Sequence, residues 1–270
     1  MIPKLESADN MCSIKTINAN KFIHLLTLFI ATTFSALSQA DTLDYYVVQN
    51  QSEPLQIQDA GENHRGIVTD IVNKALKGSK YELAIHTYPF NRMIAELAKH
   101  QQENWITYGS PLWGDMQAAN LSEYPILEVE HSILSGAQSS FDYKNTDDLQ
   151  DKVAILLFGF DYPGLDKKIK SGDVSEIRVK NYDSAFRVVD RLKGTAGFVE
   201  MDLRLQYHLK RLGFTQEDYK LQKISNMIPS YQIHLAYSPG MDPEIKAYID
   251  QRIKEMKDNN ELQEIVANYL

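Results

Sequence analysis

The sequence predicts an α/β protein of two lobes, joined by two strands that cross between them. Three observations carry that expectation. Strand-like apolar runs alternate with amphipathic helices along most of the chain, the pattern of βα units over a largely parallel sheet. The alternation comes in two blocks, 43–108 and 152–212. Between the blocks lies the stretch 105–137, which holds both tryptophans, Trp105 and Trp113. Its ends read as strands and its middle is rich in aromatics, Gly, Ser and Pro. A strand, a polar aromatic loop and a second strand near mid-chain suit a crossing between lobes with a ligand cleft beside it.

The N-terminus changes the chain that folds. Lys15 and Lys21 precede an apolar run over 22–37, and Ser38-Gln39-Ala40 follows with small residues at the −3 and −1 positions. Basic flank, short apolar run and small-residue exit predict a secretory signal peptide cleaved after Ala40. The run is shorter than the roughly 20 residues of a membrane span and is diluted by Thr and Ser. Translation could begin at Met1 or Met11. The mature chain, 41–270, would have 230 residues. Losing the three lysines and two acids of the leader takes the net charge from −8 to −9. Such a surface repels phosphate, so nucleic acid is not an expected partner. Cys12 is the only cysteine and belongs to the leader. Disulfides, zinc–thiolate sites and cysteine nucleophiles are thereby excluded from the mature chain. An exported, cysteine-free chain of this kind fits a bacterial periplasm.

In order, 43–48 reads as a strand. The run 66–76 places apolar residues at 67, 68, 71, 72, 75 and 76, a helical spacing. Residues 80–88 alternate as a strand that Pro89 ends, 90–100 is helical, and 103–108 is the third strand. Past the crossing, 145–148 reads as a capped turn and 152–158 as a buried strand. A short helix over 163–170 and a strand over 174–179 follow. Asp183 or Ser184 would cap a helix to Leu192 that Gly194 closes. A strand over 196–200 leads into a helix from Asp202 that stops at Gly213. Residues 233–237 form one more strand, and 243–256 and 260–270 two amphipathic helices.

Several of these segments together resemble family 3 of the extracellular solute-binding proteins, the two-lobed receptors of bacterial ABC importers. Gly66 to Leu76 resembles the start of that family's first helix. Leu121-Ser122-Glu123-Tyr124-Pro125 is similar to the element before its first hinge strand. Leu149-Gln150-Asp151-Lys152-Val153-Ala154 is similar to the opening of its second lobe. Ser184 to Leu203 resembles its helix-Gly-strand-Asp unit, and Ala236 to Leu270 its last strand and helices. The resemblance implies a type II periplasmic binding fold. Lobe 1 would comprise 41–132 with 231–270, and lobe 2 would comprise 133–230. It further implies a monomer that binds a small molecule without a cofactor and partners a membrane permease. A sensor presenting its ligand to a membrane signalling protein is the alternative.

The resemblance also locates a departure. Amino-acid receptors of the family carry a carboxylate-clamping Arg about six residues before the hinge element, and here that place holds Asp115. The acid that pairs with a ligand ammonium is matched by Asp202, with Glu200 two residues earlier. Asp115, Glu200 and Asp202 thus suit an amine-bearing ligand. Arg92, at a strand-to-helix turn where open α/β sheets bind ligands, suits an anion instead. Phe90, Tyr108 and Trp113 are candidates to stack on the ligand. Ser110 sits at a strand end with a free hydroxyl in prospect. Gly159, Phe160 and Tyr162 lie where backbone amides of a helix start could hold an anion.

Enzyme signatures are sparse. None of the six mature histidines forms a His-Glu-x-x-His pair, and there is no Gly-x-Ser-x-Gly elbow. Glu200 and Asp202 remain conceivable as paired carboxylates for acid/base work on a small acid, as in dehydratases of related fold.

Overall fold

The computed structural model describes residues 41–59, 64–162, 164–215 and 217–270. The expected signal peptide lies outside the described residues. The first sheet has the strand order β2-β1-β3-β10-β4. Its strands are β1 (Asp41–Val48), β2 (Tyr81–Tyr88), β3 (Trp105–Gly109), β4 (Leu127–Val129) and β10 (Tyr231–Tyr237). β1 runs parallel to β2 and β3, whereas β10 is antiparallel to β3 and β4. Helices α1 (Ile67–Leu76), α2 (Phe90–Lys99), α3 (Met116–Ala119), α7 (Pro243–Asp258) and α8 (Glu261–Ala267) accompany it.

The second sheet repeats the plan with the order β7-β6-β8-β5-β9. It contains β5 (His131–Gly136), β6 (Val153–Leu157), β7 (Ser175–Val179), β8 (Ala196–Met201) and β9 (Tyr219–Lys223). β6, β7 and β8 are parallel, and β5 is antiparallel to β8 and β9. Helices α4 (Leu165–Ser171), α5 (Tyr182–Leu192) and α6 (Asp202–Leu212) complete it. The expectation of largely parallel sheets therefore holds for three strands of each. The remaining strands are antiparallel because they belong to the segments that cross between sheets.

Burial follows the strand period of two. Ile155, Leu157, Leu134 and Phe198 pack on one face of the second sheet with Ala185, Val189 and Leu205. Ile133, Ala154, Leu156 and Val199 pack on the other face with Leu149, Leu165 and Ile224. A sheet covered on both faces demands the near-continuous apolar run seen in β6. β1 and β3 meet the same demand in the first sheet, where Leu43, Tyr45, Val47, Trp105 and Ile106 are wholly buried. Each large apolar side chain so buried contributes about 1.5–3 kcal/mol.

Local chemistry sets the element ends. Gly213 takes the left-handed conformation at φ 74° and ends α6, as its position predicts. The Asn145–Asp148 capping box is present. The cap of α5 is neither Asp183 nor Ser184. It is Asn181, whose side-chain oxygen accepts from the Ser184 amide at 2.9 Å.

The chain leaves the first sheet through Glu130 and returns through 224–230. The two passages are tied together. Lys223 Nζ lies 2.7 Å from Glu130 and 2.9 Å from Asp202, and the Asp202 amide donates to the Glu130 carbonyl at 2.8 Å. No helix among the described residues is long and apolar enough to cross a membrane.

Candidate functional site

A cavity of about 450 Å³ lies between the two sheets. It opens where β3, β6 and β8 end, the edge at which open α/β sheets place their ligands. From the first-sheet side, the start of α2 supplies Phe90, Asn91 and Ile94, and the end of β3 supplies Tyr108. The loop after β3 adds Leu112, Trp113, Gly114 and Asp115, and α3 adds Gln117. From the other side come Gly159, Phe160, Asp161 and Tyr162 after β6, Asp166 in α4, and Glu200, Met201 and Arg204 at the β8–α6 junction. The crossing strands contribute His131 and Tyr231.

The rings form a connected wall. Trp113 meets Tyr108 edge-on at 5.6 Å and Tyr231 edge-on at 6.3 Å, and its indole N–H donates to the Tyr231 hydroxyl at 3.3 Å. Tyr231 stacks on His131 at 5.6 Å. Phe90 stacks on Phe160 at 4.7 Å across the gap between the sheets. Gly159 makes that approach possible. Its φ is +94°, and a Cβ there would lie 3.2 Å from Asn91 Oδ1. Beside it, Gln51 Nε2 donates to the carbonyls of Phe158 at 3.3 Å and Lys180 at 3.1 Å, a second link between the halves.

The polar floor is a buried ion pair. Arg204 and Glu200 side chains are 1% and 3% exposed and lie 3.3 Å apart. Arg204 also donates to the Tyr108 hydroxyl at 3.2 Å, which in turn bonds Ser52 at 2.6 Å. One network thus runs from the second-sheet half into the first. Burial pushes the Glu200 carboxyl above its ordinary value, while Arg204, the Met201 amide and the Tyr182 hydroxyl pull it back. Burial opposes the charge on Arg204, but Tyr182 and Glu200 more than offset it and the guanidinium stays charged. His131 is held neutral, with its pKa lowered to about 4 by burial and by Arg204. Arg204 Nε, Glu200 Oε2 and His131 Nδ1 are buried without a hydrogen bond. Unmade bonds at such depth cost about 1–3 kcal/mol each, and a polar ligand could supply the missing partners.

Of the residues singled out in the sequence, Phe90, Tyr108, Trp113, Asp115, Gly159, Phe160, Tyr162 and Glu200 line the cavity. Three do not. Arg92 points outward, 65% exposed, over the Tyr88 ring and 4.0 Å from Glu96. One helical position decides this, because Asn91 takes the inward-facing place. Ser110 is wholly buried, and its hydroxyl accepts from the Leu112 amide within its own turn. Asp202 is engaged by Ser132 at 2.6 Å, by Gln206 and by Lys223. Those bonds hold its carboxyl below its ordinary value even though burial pushes the other way. Glu200 and Asp202 therefore do not converge on the cavity as a catalytic pair. Anion binding at 159–162 is disfavoured too, because Asp161 and Asp166 line the same wall.

Sequence reasoning missed Arg204, His131, Tyr231 and Asn91. A signal for Arg204 was present. It lies in the first turn of α6, where a cation opposes the helix dipole, and four residues after Glu200. His131 and Tyr231 had none, since each sits at the start of a crossing strand.

No family model matches the chain, and no curated protein matches it. Solved structures do. The substrate-binding protein of an amino acid ABC transporter aligns at TM-score 0.65 and 15% identity, over 85% of this chain and 99% of that one. The GluR0 ligand-binding core complexed with L-glutamate aligns at TM-score 0.67 and 12% identity, over 87% of this chain and 100% of that one. A histidine kinase sensor domain with similarity to periplasmic binding proteins aligns at 0.65 and 15%, over 86% and 96%. The protein has the two-lobed fold that these structures share.

Proposed function

We propose that the protein is a periplasmic receptor that captures a small polar molecule between its two lobes. The lobes are taken as 41–132 with 231–270, and 133–230. The observation that carries this reading is the cavity itself. Side chains from both halves converge on one space of about 450 Å³, within the range of small-molecule sites. Phe90, Tyr108 and Trp113 offer flat apolar surface from the first half. Phe160, Glu200 and Arg204 offer an aromatic face and buried polar groups from the second.

Capture proceeds by hinge closure about the Glu130 and 224–230 passages. A ligand touching both walls binds the closed form better than the open one, and that difference alone drives closure. The closed receptor then docks on a membrane permease. The same closure would serve a signalling partner, and the likeness to a kinase sensor domain supports that second destination.

Thermal denaturation of the 41–270 chain against a panel of amino acids, amines, organic acids, sugars and short peptides tests the reading. A ligand at 100 times its Kd should add about 2.7 kcal/mol. Failure of every compound to raise the melting temperature, together with turnover of a small acid, would replace the receptor with an enzyme.

A further inference from the structure

We propose that the ligand is an organic cation, with its charged nitrogen held among Asp115, Asp161 and Asp166 and its apolar body between the cavity rings. The inference rests on the receptor reading and deepens it. Asp115 comes from the first-sheet half, and Asp161 and Asp166 from the second. Among the described residues, none of the three carboxylates has an ion pair or side-chain hydrogen bond, and Asp115 caps α3 without one. Arg204 is the only Lys or Arg among the described residues that line the cavity, and Glu200 already neutralises it. His131 adds no charge near neutral pH. The cavity is thus net negative by about three charges, and its walls are aromatic, the surroundings that favour a cation over an anion.

A further observation points to a ligand rather than to a solvated acidic patch. Glu200, 2% exposed and lining the same cavity, keeps Oε2 without a hydrogen bond, an acceptor suited to an ammonium N–H. The charges also give closure a driving force. Carboxylates carried by opposite halves repel each other when the cleft is empty, and one cation between them reverses the sign.

Matched compounds that differ only in charge provide the test: tryptamine, tryptophan and indole-3-acetate, followed by the full panel, each measured by thermal shift and calorimetry at low salt. Cationic members should bind at least tenfold more tightly than their zwitterionic or anionic counterparts. Asp115→Asn with Asp161→Asn should weaken the best cation at least tenfold while leaving melting of the free protein within a few degrees. Tightest binding by anions or zwitterions, or a double variant that binds cations unchanged, overturns the inference and leaves the receptor reading standing. No binding by any member of the panel overturns both.

Discussion

Arg204→Met tests the polar floor of the cleft. The substitution keeps the side-chain length and removes the charge from a residue whose side chain is 1% exposed. It deletes the contacts to Glu200 at 3.3 Å and to the Tyr108 hydroxyl at 3.2 Å. Breaking a buried pair by removing one partner costs about 3–5 kcal/mol, because the other charge is left uncompensated. For a chain of this size that is a fall of roughly 6–20 °C in melting temperature. The loss depends on pH. Burial already holds Glu200 above 4.5, and Arg204 is the largest influence pulling it down, so the variant raises it further. A carboxyl raised in the folded state gives stability that is full below its unfolded value and is lost as pH climbs through its folded value. The deficit of the variant should therefore be largest near pH 8 and smaller near pH 5. Adding Glu200→Gln should recover most of it at pH 8. The assay is urea denaturation of the 41–270 chain at both pH values. An equal deficit at pH 5 and pH 8, or a double variant no more stable than Arg204→Met, would refute the view that Arg204 neutralises a buried Glu200.

Trp113→Ala removes the ring that joins Tyr108 to Tyr231 and should weaken a bound ligand tenfold or more, about 1.4 kcal/mol; unchanged affinity by calorimetry removes Trp113 from the site. Gly109→Ala should destabilise the fold by about 3 kcal/mol or more, because its Cβ would lie 1.9 Å from the Gln117 carbonyl oxygen beside the cleft. A denaturation midpoint like that of wild type would show that α3 moves aside without cost. His208 is kept neutral down to about pH 3 by burial, Arg211 and Arg204, and it stacks on Tyr182 at 3.6 Å. A depressed folded value means stability that is full above pH 6.5 and lost as pH falls, at up to about 1.4 kcal/mol per pH unit. His208→Phe should flatten the decline between pH 6.5 and 4 by that amount, and an unaltered slope contradicts the assignment.

Elements governed by local periodicity were legible. The helix over 66–76 and the strand over 152–158 appear within a residue or two of their expected ends, since each carries its own apolar pattern. β4, three residues long, and β9, Tyr-Lys-Leu-Gln-Lys, were not foreseen. The first is too short to show a period. The second lies at a sheet edge, and three of its five residues are polar, so it carries no apolar run.

The site divides along the same line. Trp113, a ring in a Gly- and Pro-rich loop at mid-chain, was expected at a cleft wall from sequence alone, because a ring in a polar loop lacks a periodic core to join, and it does line the cavity. The acid at 115, where the resemblance leads one to expect an arginine, was equally plain. Only the tertiary structure decided that Arg92 faces solvent while Asn91 faces the cavity, that Asp202 binds Lys223 beside the crossing, and that Arg204 supplies the buried cation. The sequence determines which segments fold and where their strands end, because backbone propensity and apolar period act over a few residues. Membership of the cleft is a relation between strand ends far apart in the chain. It is set by how the two sheets face each other, and no local pattern encodes that.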